Sequence, residues 1–117
     1  MKPRVDDFLP LAPATLHILL ALAGERLHGY GIMREVLRQS DGRYKLGPGT
    51  LYDNLQRLMK QELVEEVSDR PEDQNSRRRT YRLSSLGRGV LSAEIVRLEG
   101  VVKKARLHLK PPQPRSA

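Results

Sequence analysis

Six apolar residues recur at spacings of 4, 3, 4, 3 and 4 toward the end of the chain: Leu91, Ile95, Leu98, Val102, Ala105 and Leu109. This is a heptad seam, sustained for nearly three heptads. It predicts one helix, with Ser84 as its N-cap, running to about Leu109. Some 25 helical residues span about 38 Å. The whole chain has only 117 residues, which fits a single domain. A domain of that size cannot cover such a helix along its full length. The exposed part of the seam therefore calls for a second copy of the chain. The competing arrangement folds the seam back onto the first helix and the N-terminal arm. One helix has room for both, each using half of the seam.

The rest of the core has to be aliphatic. Hydrophobic residues make up 38% of the chain, yet its only aromatics are Phe8, Tyr30, Tyr44, Tyr52 and Tyr81. With no cysteine, the sequence offers no disulfide framework, no thiol catalysis and no Cys-ligated zinc. His17, His28 and His108 lack metal-ligand spacing, and no serine sits in a nucleophile motif such as G-x-S-x-G. Glu65-Glu66 and Glu72-Asp73 are adjacent pairs that read as solvated. The expectation is a non-enzyme with no catalytic residue, no metal and no cofactor. The longest apolar run, Ile18–Ala23, is far short of the ~18–20 residues of a membrane span. The N-terminus has no signal-peptide layout, so a cytoplasmic protein without a membrane partner is expected. The formal charge is +7. That excess favours a polyanionic partner, nucleic acid first, against the plainer reading of a generally basic surface.

Along the chain, residues 1–12 read as an N-terminal arm bracketed by Pro10 and Pro13. Ala14–Ala23 is apolar nearly all round and predicts a buried helix opened by Pro13. A second helix runs from about Tyr30 to Gln39, and Ser40-Asp41-Gly42 stops it. A third runs over Pro48–Gln61, with Leu51, Leu55 and Leu58 on one face. Thr50, Asp53, Asn54, Arg57 and Lys60 are assigned to the other. Leu63–Val67 and Arg79–Leu83 are strand-like, and the polar, turn-rich stretch between them predicts a hairpin. Three short helices followed by a hairpin give a winged helix-turn-helix. The fold expected is mainly α with a small β-hairpin: a winged helix-turn-helix over 13–83, a dimerisation helix over 84–110 and a disordered tail over 111–117.

In this frame the third helix presents its polar side to duplex DNA. Pro48, Gly49 and Thr50 bring a helix N-terminus to the surface, where free N–H groups attract phosphate; the plain alternative is an ordinary helix start. Tyr30 either donates to a phosphate or caps the core with its hydroxyl in water. Tyr52 reaches a phosphate or lies half-buried. The amide of Asn54 suits an adenine edge, the alternatives being a phosphate or solvent. Arg57 and Lys60 are placed on the backbone, adding affinity without sequence choice. Arg77, Arg78 and Arg79 form a basic triplet on the hairpin. They face phosphates or pair across the ladder with Glu65 and Glu66.

Leu27-His28-Gly29-Tyr30-Gly31-Ile32 leads to Gly47-Pro48-Gly49-Thr50-Leu51-Tyr52, Leu55-x-x-Leu58 and Glu62-Leu63-Val64-Glu65. Arg77-Arg78-Arg79-x-Tyr81-Arg82-Leu83 and Leu86-Gly87 complete the pattern. The ordered set, over roughly residues 9–100, resembles the PadR family of winged helix-turn-helix transcriptional regulators. The resemblance implies a homodimeric DNA-binding regulator, usually a repressor, acting on partly palindromic operators. It also implies release by a small, often aromatic effector. On this chain it implies recognition by Pro48–Gln61, a phosphate-side place for Tyr52 and dimerisation through the C-terminal helix. The chain departs from the pattern in having one helix after the hairpin and no tryptophan, so an effector pocket would be lined by Leu and Val near the dimer helices. The alternative is a winged-helix module that docks proteins, with the acidic first strand as its surface. RNA binding is disfavoured because the aromatics are too few and dispersed for a stacking platform.

Overall fold

Three helices bury a shared aliphatic core, a small sheet closes one side of it, and a long fourth helix packs over the assembly. This architecture comes from a computed structural model that describes residues 3–67 and 79–111. A 3-10 turn, Val5–Phe8, precedes α1 (Pro13–Leu22), β1 (Leu27–His28), α2 (Gly29–Gln39) and α3 (Pro48–Lys60). The hairpin strands β2 (Val64–Val67) and β3 (Thr80–Leu83) follow, and then α4 (Ser85–Leu109).

The leucine and isoleucine spacing decides which faces go inward. Ile18, Leu19 and Leu22 of α1, Ile32 and Val36 of α2, and Leu51, Leu55 and Leu58 of α3 are all buried in one cluster. Tyr81 is its single buried aromatic, in keeping with a chain so poor in aromatic residues. Pro13 and Pro48 start α1 and α3, where a missing N–H is harmless. His28 caps α2 by accepting the Gly31 N–H, and Ser84 caps α4 by accepting the Gly87 N–H at 2.9 Å.

The two helices of the helix-turn-helix end in the same way. Gly42 N–H donates to the Leu37 carbonyl and Asp41 N–H to that of Arg38. Leu63 N–H donates to Leu58 and Glu62 N–H to Met59 in the same pattern. Both are Schellman exits. They put Asp41 and Glu62 in the left-handed region, at φ 53° and 62°.

The sheet has one strand more than the expected hairpin. β1 pairs antiparallel with β3, Leu27 opposite Tyr81, giving the order β1-β3-β2. β2 and β3 pair with Val64 opposite Leu83 and Glu65 opposite Arg82. Where the hairpin meets α4, the Leu63 carbonyl accepts from Ser84 N–H at 3.0 Å. A Cβ on Gly87 would stand 2.0 Å from that same carbonyl oxygen. Only glycine lets α4 approach so closely, which gives the Leu86-Gly87 step a steric reason.

Along α4 the seam changes character. Leu91 is buried, Ile95 and Leu98 are half-buried, and Val102 and Leu109 are exposed, Leu109 at 79%. The near half packs on the chain's own core and 3-10 turn. The far half has no such cover among the described residues. The tail expected over 111–117 falls, beyond Pro111, outside the described residues. No helix among them is long and apolar enough to cross a membrane.

Candidate nucleic-acid interface

The outer surface of α3 is polar because its inner surface is committed to the core. Leu51, Leu55 and Leu58 lock one side; Tyr52, Asp53, Gln56, Arg57 and Lys60 stand exposed on the rest. Pro48, Gly49 and Thr50 are exposed at its N-terminus. The first intrahelical bond runs from Leu51 N–H to the Gly47 carbonyl at 3.0 Å. The N–H groups of Gly49 and Thr50 therefore lie at the open, positive end of the helix dipole.

Asn54 is not on this surface, contrary to the sequence expectation of a base-reading amide. It is 8% exposed and faces α1. Its Oδ1 accepts from the Thr15 hydroxyl at 3.0 Å and from Arg57 Nη2 at 2.6 Å. Its Nδ2 donates to the Thr50 carbonyl at 2.8 Å. Burial against α1, with Oδ1 twice engaged and one Nδ2 hydrogen taken, keeps this amide away from a base edge. It holds the guanidinium of Arg57, whose Nη2 also comes within 3.5 Å of the Thr15 hydroxyl. The exposed amide on α3 is Gln56, which the sequence reading passed over. Gln56 follows the buried Leu51 by five residues, which turns it to the side opposite the leucines.

Tyr52 is 43% exposed, and its ring lies against the start of α2. A Cβ on Gly29 would be 2.3 Å from the Tyr52 hydroxyl, so Gly29 is what allows this contact. Tyr30 is 65% exposed, with the Arg34 guanidinium 5.8 Å from its ring centroid.

The hairpin shows ladder pairing in its described part. Arg79 pairs with Glu66 at 3.1 Å and Arg82 with Glu65 at 2.9 Å. For Arg79 this is the cross-ladder pairing that the sequence expectation set beside a phosphate contact, and its side chain remains 47% exposed. The same pairs neutralise the acidic strand that the protein-docking alternative relied on. Arg77 and Arg78 lie outside the described residues. Burial, reinforced by the Glu66 carboxylate, pushes the Tyr81 phenol upward, so this core tyrosine stays protonated at neutral pH.

On α4, a shallow groove of about 610 Å³ runs beside Ile95, Leu98 and Val102, with Glu99, Lys103 and Arg106 along it. It lies on the predicted seam, near where a Leu/Val-lined pocket was expected. Among the described residues, no group of three or more His, Cys, Asp or Glu side chains could hold a metal ion.

The model of the transcriptional regulator PadR-like family matches residues 18–93. The chain belongs to that family, a family of transcription regulators and not of enzymes. It is 33% identical over 93 residues to the transcriptional regulator Rv3488 of Mycobacterium tuberculosis, a match covering 80% of this chain and 82% of that one. It is 39% identical over 92 residues to an uncharacterized 37.1 kDa protein in transposon TN4556 of Streptomyces fradiae. That match takes in 76% of this chain but only 25% of the longer protein. Its fold is similar to that of Bacillus subtilis PadR in complex with operator DNA, with a TM-score of 0.63 and 17% identity. The likeness covers 92% of this chain and 52% of the other.

Proposed function

We propose that the chain is a sequence-specific regulator of transcription that represses as a homodimer bound to double-stranded DNA. The observation that carries this reading is the division of α3: leucines fixed in the core, and a continuous polar surface of Thr50, Tyr52, Gln56, Arg57 and Lys60 left outside. In the major groove, Gln56 takes the base-reading place that sequence alone gave to Asn54, because an amide can pair with adenine in two places. Thr50, Tyr52, Arg57 and Lys60 hold phosphates, with Pro48 and Gly49 opening the helix end toward the backbone. Tyr30 and the hairpin arginines Arg77 and Arg78 extend the contact to neighbouring phosphates. The solved complex of Bacillus subtilis PadR with operator DNA supports the reading by kinship.

Dimerisation through the exposed half of the seam, from Leu98 through Val102 and Ala105 to Leu109, gives a two-fold protein. Such a protein reads a partly palindromic operator whose half-sites are about one helical turn, ~34 Å, apart. Release from DNA by a small effector completes the proposal.

Selection of bound sequences from random duplex DNA tests affinity, symmetry and spacing together. A recovered palindrome supports the reading, and recovery of no enriched sequence refutes it. A dimer making about six to ten phosphate contacts should lose ~10³–10⁵ in affinity between about 50 and 200 mM salt. A flat response in a gel-shift series would contradict the phosphate contacts.

A further inference from the structure

Two polar side chains are buried where α1 meets α3: Thr15 at 7% exposure and Asn54 at 8%. Such groups go inside only where hydrogen bonds replace water. Here the bonds close a triangle with a third, exposed member, Arg57. The Thr15 hydroxyl donates to Asn54 Oδ1 at 3.0 Å, Arg57 Nη2 donates to the same oxygen at 2.6 Å, and Nη2 reaches the Thr15 hydroxyl at 3.5 Å. Asn54 is itself fixed, through Nδ2, on the Thr50 carbonyl at 2.8 Å. Thr15 belongs to the first turn of α1. A guanidinium on the outer surface of α3 is therefore anchored on a different helix. An arginine has five N–H donors, so with Nη2 engaged, Nε–H and the two of Nη1 remain for a partner outside the chain.

From this we infer that Thr15 and Asn54 determine sequence discrimination at the DNA interface without touching DNA, by holding Arg57 in one place. The inference rests on the DNA-binding reading above. A long side chain ordinarily loses its freedom when it binds; this one is already ordered in the folded chain. Phosphate contacts fix the register of a protein on the duplex. A held guanidinium meets a phosphate at only one seating of α3, the seating that brings the neighbouring Gln56 to its base. A guanidinium free to swing would follow the phosphate into other seatings and tolerate a wrong base there. Non-specific binding needs only the charge, which Thr15 and Asn54 do not alter. Both are thus positioning residues, and Arg57 is the contact.

The test compares the full chain with Asn54→Leu and Thr15→Val, on the duplex enriched by selection and on a scrambled duplex of equal length. Asn54→Leu keeps an apolar fit between Leu51 and Leu58, and Thr15→Val keeps the shape of the side chain while removing its hydroxyl. Each should lower affinity for the selected duplex roughly three- to tenfold per half-site. Affinity for the scrambled duplex should stay within about twofold and the salt slope should not change. Thr15→Ser, which restores the hydroxyl, should restore discrimination. Arg57→Gln should behave differently, weakening both duplexes and reducing the salt slope by about one per subunit. In the free chain, the order parameter of Arg57 Nε–H should fall from near 0.85 in the parent to below about 0.6 in Asn54→Leu. An equal loss on both duplexes, an unmoved ratio in both variants, or an Arg57 already mobile in the parent would overturn the inference. If the parent binds no duplex DNA, the DNA-binding reading itself fails; if the parent discriminates and the variants do so equally well, only the positioning role falls.

Discussion

Two helices of this molecule solve opposite problems. α3 has 13 residues and is held by what it buries: Leu51, Leu55 and Leu58 are each at most 1% exposed. α4 has 25 residues and commits only its first half in that way. Beyond Leu98 it carries Val101, Val102, Leu107 and Leu109, all at least 47% exposed. A short amphipathic helix owes its stability mainly to tertiary packing. α3 is therefore rigid because one side is fixed, and its other side is fully available. The far half of α4 is available because nothing among the described residues fixes it. The first is suited to being read against a rigid partner, the second to completing itself with another copy.

The sharpest way to break this contrast is to remove an anchor of α3. Leu55→Ala should cost about 2–5 kcal/mol in a denaturant titration, through lost burial and the cavity left behind. The same truncation at Leu109 should leave the stability of the single chain within about 0.5 kcal/mol. Comparable losses at both sites would mean that α4 is packed in the free chain as tightly as α3.

Val102→Lys addresses the other helix. In the single chain this position is half exposed, so its own fold should tolerate the charge. In a dimer seam the ammonium would be desolvated without a partner, and association should weaken by about 3 kcal/mol or more, over a hundredfold. Sedimentation should then find monomers at concentrations where the parent chain is dimeric, and Leu98→Lys should act the same way. A dimer unaffected by both would put the contact surface elsewhere.

A third measurement concerns the joint between the two regions. Glu94 is buried at 0% exposure and ties the arm to α4 by accepting the Leu11 N–H at 2.8 Å. Arg97, hydrogen-bonded to it, holds its carboxyl below the usual range; burial opposes this, and the Leu11 N–H adds to the lowering. A carboxylate with a lowered folded pKa stabilises above its unfolded value, near 4.3, and that contribution is lost as pH falls through the folded value. Amide exchange at Leu11 should therefore accelerate in acid, below the ordinary glutamate range. Glu94→Gln should flatten that pH response and cost about 1–2 kcal/mol at neutral pH. An unchanged acid response in the variant would assign it to another group.

Glu94 and Asn54 also show where the sequence stops being readable. Each stands three residues after a buried leucine and four before a further leucine that is at least half-buried, Leu91 and Leu98 in one case and Leu51 and Leu58 in the other. That spacing puts both on the inward side of their helices. Residue type argues the reverse, and it prevailed for Asn54. The partners that permit burial, Thr15 for Asn54 and the Leu11 N–H for Glu94, lie 39 and 83 positions away, beyond the reach of any local pattern. β1 was missed for a related reason. Two residues are too few to alternate, and Leu27–His28 is a strand only because β3 passes beside it. By contrast, the helix starts at Pro13, Pro48 and Ser84 could be read directly, since caps and N-terminal prolines act within one turn. The leucine sides of α3 and early α4 were equally plain, since apolar periodicity fixes them without reference to distant residues. Gln56 was within reach of the same periodicity, five residues beyond Leu51.

The smallest effect lies at the exit of α3, where the anchored helix hands the chain to the hairpin. Glu62 sits at φ 62°, a conformation unfavourable for a residue with a Cβ and usual for glycine at this place in a Schellman exit. Its backbone N–H bonds Met59, and its carbonyl accepts from the Ser84 hydroxyl at 2.6 Å. The backbone alone therefore makes the local connections, and the side chain is exposed. Glu62→Gly should keep both hydrogen bonds and relieve the left-handed strain. The net gain expected is about 0.5–1 kcal/mol in thermal or denaturant unfolding, part of the relief being offset by glycine's larger chain entropy. The gain should appear in the unfolding of the α3 core and leave association through α4 unchanged. A destabilised variant would show that the carboxylate, not the backbone, holds the corner between α3 and the sheet.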